Sequence, residues 1–193
     1  MKEGAKLYLP QDVLEAAQER IRLLFDRFDE VIVSVSGGKD STVLLDLCRQ
    51  EAMRRGLMVH AFFLDQEAEY QSSIEQINYL MGLPNVIPHW FQVPLRMTNA
   101  TSLQVDFLYA WGPGEQWMRE KAPLAIHAID ANYPQRFYPF FEWWEKNEWQ
   151  AKNAVSVVGL RAEESLNRFR SVVKYPALPD LPWTSKGTTM KAY

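Results

Sequence analysis

Val31-Ile32-Val33-Ser34-Val35-Ser36-Gly37-Gly38-Lys39-Asp40-Ser41 is the stretch around which the rest of the chain is read. Val31 to Val35 are small or β-branched and mostly apolar, as a short buried parallel strand requires. Gly37 and Gly38 follow at once, and Thr42-Val43-Leu44-Leu45 resumes an apolar run. That order is strand, tight turn, helix start. Glycine lets the backbone turn sharply with no Cβ in the way. The helix that follows offers its unpaired N–H groups and positive end. Together they form a cradle for phosphate. Ser36 and Ser41 can add hydroxyls and Lys39 a charge. Asp40 suits the helix start and could also hold a metal ion that travels with the phosphates. The spacing is not G-x-x-x-x-G-K-[ST], so this is not a Walker A loop. The plain alternative is a glycine turn that merely joins strand to helix.

Length and composition narrow the class. The 193 residues suit one domain, or one carrying an insertion, and 47% hydrophobic residues are enough for a sizeable core. A net charge of −3 argues against a broad non-specific nucleic-acid surface and leaves room for a local basic patch. The one cysteine, Cys48, allows no internal disulfide and no cysteine-rich metal site. No apolar run follows the Met1-Lys2-Glu3-Gly4 start, and no stretch has the length of a membrane span, so a cytoplasmic protein is expected.

The coarse reading alternates helices and strands. Pro10 to Phe28 carries Val13, Leu14, Ala17, Ile21, Leu24, Phe25 and Phe28 on one helical face. A helix from Asp40 to about Arg55 is stopped by Gly56. Cys48 sits in it among leucines, which suits an inert buried thiol. Leu57 to Leu64 is a second strand, Tyr70 to Met81 a helix ended by Gly82, and Val86 to Val93 a third strand interrupted by Pro88. Asp65 follows the second strand, where parallel sheets bind ligands. It is read either as a nucleotide or metal contact or as a loop acid. His60, His89 and His127 have no metal-ligand neighbour at useful spacing.

From Pro94 to Lys152 the pattern changes. Aromatics and prolines alternate irregularly, with no strand period and only short helices expected, at Glu115 to Lys121 and Pro139 to Gln150. This reads as an insertion at about 96–152 carried on the sheet. It serves either as a small satellite core or as a lid or protein-partner surface. Val155 to Leu160 is a fourth strand. Arg161, Arg168 and Arg170 follow it, on the rim that holds the glycines. Their planar forks suit phosphate or sulfate, and the alternative is surface pairing with Glu163 and Glu164. The tail at about 173–193 has no period, and its Lys186 and Gly187 could line the site.

Two motifs in order, S-G-G-K-D-S at Ser36 to Ser41 and G-L-R-A-E-E-S at Gly159 to Ser165, resemble the phosphoadenosine phosphosulfate (PAPS) reductase family. That family includes the small subunit of bacterial ATP sulfurylase and the DNA phosphorothioation ATPases. The first motif looks like the PP-loop of ATP pyrophosphatases. The resemblance covers roughly Ile21 to Leu95 and Val155 to Lys174. It implies an α/β fold, a doubly wound parallel sheet of the adenine nucleotide alpha hydrolase-like, Rossmann-like kind, here with an aromatic-rich helical insertion. It implies that Ser36, Gly37, Gly38, Lys39, Asp40 and Ser41 hold phosphates, that Asp65 lies near the nucleotide, and that Arg161 and Arg168 hold an anionic group. Three departures stand against it. The reductases' E-C-G-x-H cysteine segment is missing, the strand-end acid reads L-D-Q-E rather than D-T-G, and the chain stops early.

The expected activity is therefore that of a PP-loop enzyme in sulfur metabolism. ATP or a related adenine nucleotide, with Mg²⁺ on Asp40, would be cleaved between its α- and β-phosphates. Lys39 and Arg161 are the expected catalytic residues. An anionic small-molecule acceptor would be adenylylated and pyrophosphate released, as in a transferase. The alternative is a non-catalytic nucleotide-binding regulator or accessory subunit that meets a protein partner through the aromatic insertion. A PAPS or adenylyl-sulfate reductase ranks last, because the cysteine is missing. No membrane contact is expected, and a nucleic-acid partner stays open.

Overall fold

The computed structural model describes residues 10–129, 132–160, 165–173 and 177–193. Helix α1 (Val13–Arg27) leads into β1 (Glu30–Ser34), α2 (Lys39–Arg55), β2 (Val59–Leu64), α3 (Gln71–Met81) and β3 (Val86–Phe91). A hairpin of β4 (Leu95–Thr98) and β5 (Phe107–Ala110) comes next, then α4 (Phe137–Trp149), β6 (Ala154–Val157), α5 (Leu166–Val173), β7 (Thr184–Ser185) and β8 (Met190–Ala192). One sheet runs in the order β3-β2-β1-β6-β8-β7. Its pairs are parallel except β7 with β8. The fold is the doubly wound α/β sheet that the motif order implied.

Local chemistry sets the element ends. Asp12 caps α1 in a capping box with Glu15. Gly56, in the left-handed conformation at φ +71°, closes α2. Pro88 lies within β3, which is an edge strand of the six-stranded sheet, where a missing amide is tolerated.

The period of two along each strand divides the core. Val31, Val33, Ala61 and Phe63 face α1, α2 and α3 and pack on Leu24, Leu45, Cys48 and Ile77. Ile32, Phe62, Leu64 and Phe91 face the other way, onto Phe140, Trp144 and Trp149 of α4. Phe62 and Trp144 stand 4.6 Å apart between ring centroids, and Phe91 and Phe140 5.1 Å. Both faces are covered, as a parallel sheet demands. The aromatic stretch is thus no satellite, because α4 packs directly on that face of the sheet, together with Leu95 and Ala110 of the hairpin and Trp111.

Other expectations are corrected here. Residues 115–121 form bends and irregular backbone, not a helix. The stretch after Pro94, expected to hold no strand, contains β4, which pairs antiparallel with β5. The tail is not wholly irregular, since β8 pairs parallel with β6 and β7 closes the edge. These strands have two to four residues. Such lengths give each face too few positions to show a period.

One buried polar chain lies under the carboxyl end of α4. His60 Nδ1 and His89 Nε2 are 2.9 Å apart, and His60 Nε2 meets Glu30 Oε2 at 3.0 Å. Trp149 packs edge-on against both imidazoles. Burial lowers the pKa of both rings, that of His89 to about 4. Among the described residues no helix is long and apolar enough to cross a membrane.

Candidate functional site

The site begins where β1 gives way to α2. Gly37 has φ +72°, and a Cβ there would come 2.8 Å from the carbonyl oxygen of Ser73 at the start of α3. Only glycine fits both constraints. Ser41 Oγ holds the loop closed: it accepts from the Ser36 amide at 3.1 Å and donates to the Gly38 carbonyl at 3.1 Å. Gly38 is the N-cap of α2 and brings no side-chain cap. The first amides of α2 therefore keep donors for a ligand. Lys39 and Asp40 are exposed on that first turn. Lys39 makes no ion pair among the described residues.

The strand order reverses between β1 and β6, and a pocket of about 440 Å³ opens there. Ligands of open α/β sheets bind at this kind of switch point. Ser36 and Ser41 line it from the loop, Val158, Gly159 and Leu160 from the end of β6, and Arg168 from α5. Phe137, Tyr138 and Phe141 of α4 form an aromatic wall. The structure thus brings Ser36, Ser41 and Arg168 to one cavity. Gly37, Gly38, Lys39 and Asp40 stay on the loop and the first turn. Arg170 is exposed on α5 and does not line the pocket. Arg161 lies outside the described residues.

Asp65 is placed differently from its expected role. Its side chain is fully buried and away from the pocket. It accepts from Trp90 Nε1 at 3.0 Å, Gln92 Nε2 at 2.9 Å and the Glu67 amide at 2.9 Å, and it pairs with Arg119. A carboxylate with those four donors has no lone pair directed at a nucleotide. Glu67, at φ +69°, does parallel work: it accepts from the amides of Trp111 and Met118. The indole of Trp111 donates to the Asp65 carbonyl. The L-D-Q-E stretch is therefore a staple that ties residues 111–119 to the end of β2.

Two residues of the same segment do reach the cavity, Gln66 and Glu69. Burial, and next the charge of Asp65, raise the Glu69 pKa above its usual carboxyl value. Sequence reasoning passed over Glu69 because no motif surrounds it. Its distance past the strand end was the available signal. Cys48 is fully buried within α2, and burial pushes its thiol up to about 12. It is no nucleophile.

Residues 30–101 match the family model described as "Phosphoadenosine phosphosulfate reductase domain". Over that span the chain is similar to the PAPS reductase domain. Its matched span holds β1, the loop, α2, β2, α3 and β3, which build most of the site. The chain is also 32% identical over 194 residues to the Escherichia coli (strain K12) "Uncharacterized protein YbdN". That match takes in 93% of this chain and 47% of YbdN, so the chain spans about half the length of its curated relative.

A metal would find little protein to bind. Among the described residues no group of three or more His, Cys, Asp and Glu side chains could hold one. Mg²⁺ needs no such cage, because one carboxylate and the phosphates of a nucleotide suffice. Asp40, exposed on the first turn of α2, fits that single-carboxylate role.

Proposed function

We propose that this chain binds ATP, or a related adenine nucleotide, and cleaves it between the α- and β-phosphates to adenylylate an anionic acceptor. The observation that carries the reading is the Ser36–Ser41 loop. Its Ser36 and Ser41 line a switch-point pocket, and beside them stand the uncapped amides of α2 and Lys39, which makes no ion pair among the described residues. About 440 Å³ falls in the range of small-molecule sites, and the wall of Phe137, Tyr138 and Phe141 offers a face for a base.

The roles follow from charge and reach. The α2 amides and Lys39 hold the β- and γ-phosphates. Mg²⁺, carried in on Asp40, would neutralise charge on the departing pyrophosphate. The acceptor oxyanion attacks the α-phosphorus as the bond from that phosphorus to the bridging oxygen breaks. No electron is gained or lost, and pyrophosphate leaves. Arg161 and Arg168 orient the acceptor, because a guanidinium pairs an oxyanion with two bonds. An already anionic acceptor needs no strong base. Glu69 lines the pocket, and burial raises its pKa above the usual carboxyl value.

Incubation with ATP and Mg²⁺, followed by product identification, tests the reading. AMP-level products with pyrophosphate support it. ADP with phosphate overturns it. Tight ATP binding with no turnover favours a regulator or accessory subunit. That second reading draws on the exposed Leu103, Leu108 and Met118, which give the insertion an apolar surface for a protein partner. A reductase fits least, since Cys48 is sealed in the core.

A further inference from the structure

A second cavity, of about 330 Å³, lies beside the nucleotide pocket and shares Gln66 and Phe137 with it. Its other walls are Leu95, Met97 and Thr98 of β4, with Arg96 and Arg136. The Arg96 guanidinium carbon lies 5.1 Å from the centre of the Phe107 ring, and that of Arg136 lies 5.4 Å from the same centre. Arg96 also donates to the Tyr109 hydroxyl at 3.3 Å. Neither guanidinium forms an ion pair among the described residues. Two cations are thus gathered on one aromatic ring with no carboxylate between them. Like charges repel, so the arrangement gains most when an anion enters.

The backbone adds to this charge. Arg136 is the N-cap of α4, a helix of 13 residues, and no side chain caps it. The Arg96 amide donates to the Gln135 carbonyl at 2.6 Å, which fixes the hairpin against that helix end. Stacking on Phe107 and Tyr109 holds both forks, so less rotamer freedom is lost when a ligand binds.

We propose that Arg96 and Arg136 form a second anion subsite, for a phosphate- or sulfate-class oxyanion carried by the acceptor. The inference rests on the nucleotide reading of the adjoining pocket. The Ser36–Ser41 loop takes the nucleotide's own phosphates, and the shared wall of Gln66 and Phe137 lets a molecule in the second cavity reach the first. Two forks and an uncapped helix end offer more donors than one carboxylate can accept. A tetrahedral oxyanion is therefore preferred over a carboxylate.

The test follows the Nε–Hε resonances of Arg96 and Arg136, assigned with Arg96→Lys and Arg136→Lys. Inorganic phosphate, sulfate and acetate are titrated at constant ionic strength. Both resonances should shift together and saturably with phosphate or sulfate, and acetate should bind roughly tenfold more weakly. The response should persist in Lys39→Ala, which disables the loop. Arg96→Ala should abolish most of the Arg136 response while ATP affinity stays near wild type. Absence of a saturable shift, its loss in Lys39→Ala, or acetate binding as well as phosphate overturns the subsite. A wild type that binds phosphate at the two arginines but no ATP sinks the nucleotide reading alone.

Discussion

The rim at the carboxyl ends of β1 and β6 and the packed layer beneath α4 treat polar groups in opposite ways. On the rim, Lys39 is exposed without an ion pair and Gly38 leaves the amides of α2 uncapped. In the packed region, Glu145 is fully buried, and its Oε1 accepts from Ser156, Thr189 and Lys191. His60 is held between Glu30 and His89. Asp65, near the rim in sequence, belongs with the buried class. Water tolerates an unpaired donor at a surface, whereas a buried one costs about 1–3 kcal/mol. Donors on the rim can be completed by a ligand, while the frame pairs Glu145 Oε1 and the Asp65 carboxylate and leaves Glu145 Oε2 and Trp149 Nε1 buried without a hydrogen-bond partner among the described residues.

The hardest blow to that division should come at Asp65. Asp65→Ala strands Arg119, the Trp90 indole and the Gln92 amide in the interior. Loss of one partner of a buried pair costs about 3–5 kcal/mol. Urea unfolding should show this as a large drop in midpoint. A midpoint near wild type would mean that Asp65 is no staple and reopen its role as a ligand contact.

Lys39→Ala should act on the other side of the division. It removes one charge-assisted phosphate contact, worth about 1.5–3 kcal/mol, or roughly ten- to a hundred-fold in ATP affinity. Stability should change little, because Lys39 is exposed. Titration of labelled ATP with parallel urea melts checks both halves. Equal ATP affinities would move the phosphate site elsewhere.

Acid should weaken the buried layer before it touches the rim. Above pH 6.5 the His89 ring is neutral in both folded and unfolded chains. Below that, the unfolded chain takes up a proton that the folded one refuses until about pH 4. Stability should fall through that window, by on the order of 2 kcal/mol, and then level off as far as this group is concerned. The lowered His60 adds to the same slope. His89→Phe should flatten the dependence in urea midpoints measured from pH 7 to pH 4. An unchanged slope would remove His89 as its source.

The mildest change is Cys48→Ala, on the buried face of the loop helix. It should cost about 1 kcal/mol of stability and leave ATP binding and turnover intact. Thiol-dependent reduction that vanishes in Cys48→Ala would instead restore the reductase reading.

The chain's local signals were enough for the glycine loop, the parallel strands around it and the helices α1 to α3. Each depends on neighbours within a few positions: β-branched runs for β1, Gly56 after α2, a helical apolar stripe in α1 and α3. The loop's composition also sufficed for its family resemblance. Asp65, α4 and the tail were decided by residues far away in sequence. The Asp65 carboxylate is claimed by Trp90, Gln92 and Arg119, so its strand-end position alone could not reveal its role. The aromatic stretch became a structural layer because its rings pack on the apolar second face of the sheet. β8 took its place only by pairing with β6, and strands of a few residues carry no period that could announce them. Local conformational preference is written in adjacent residues, while burial and partner choice arise only when distant segments meet.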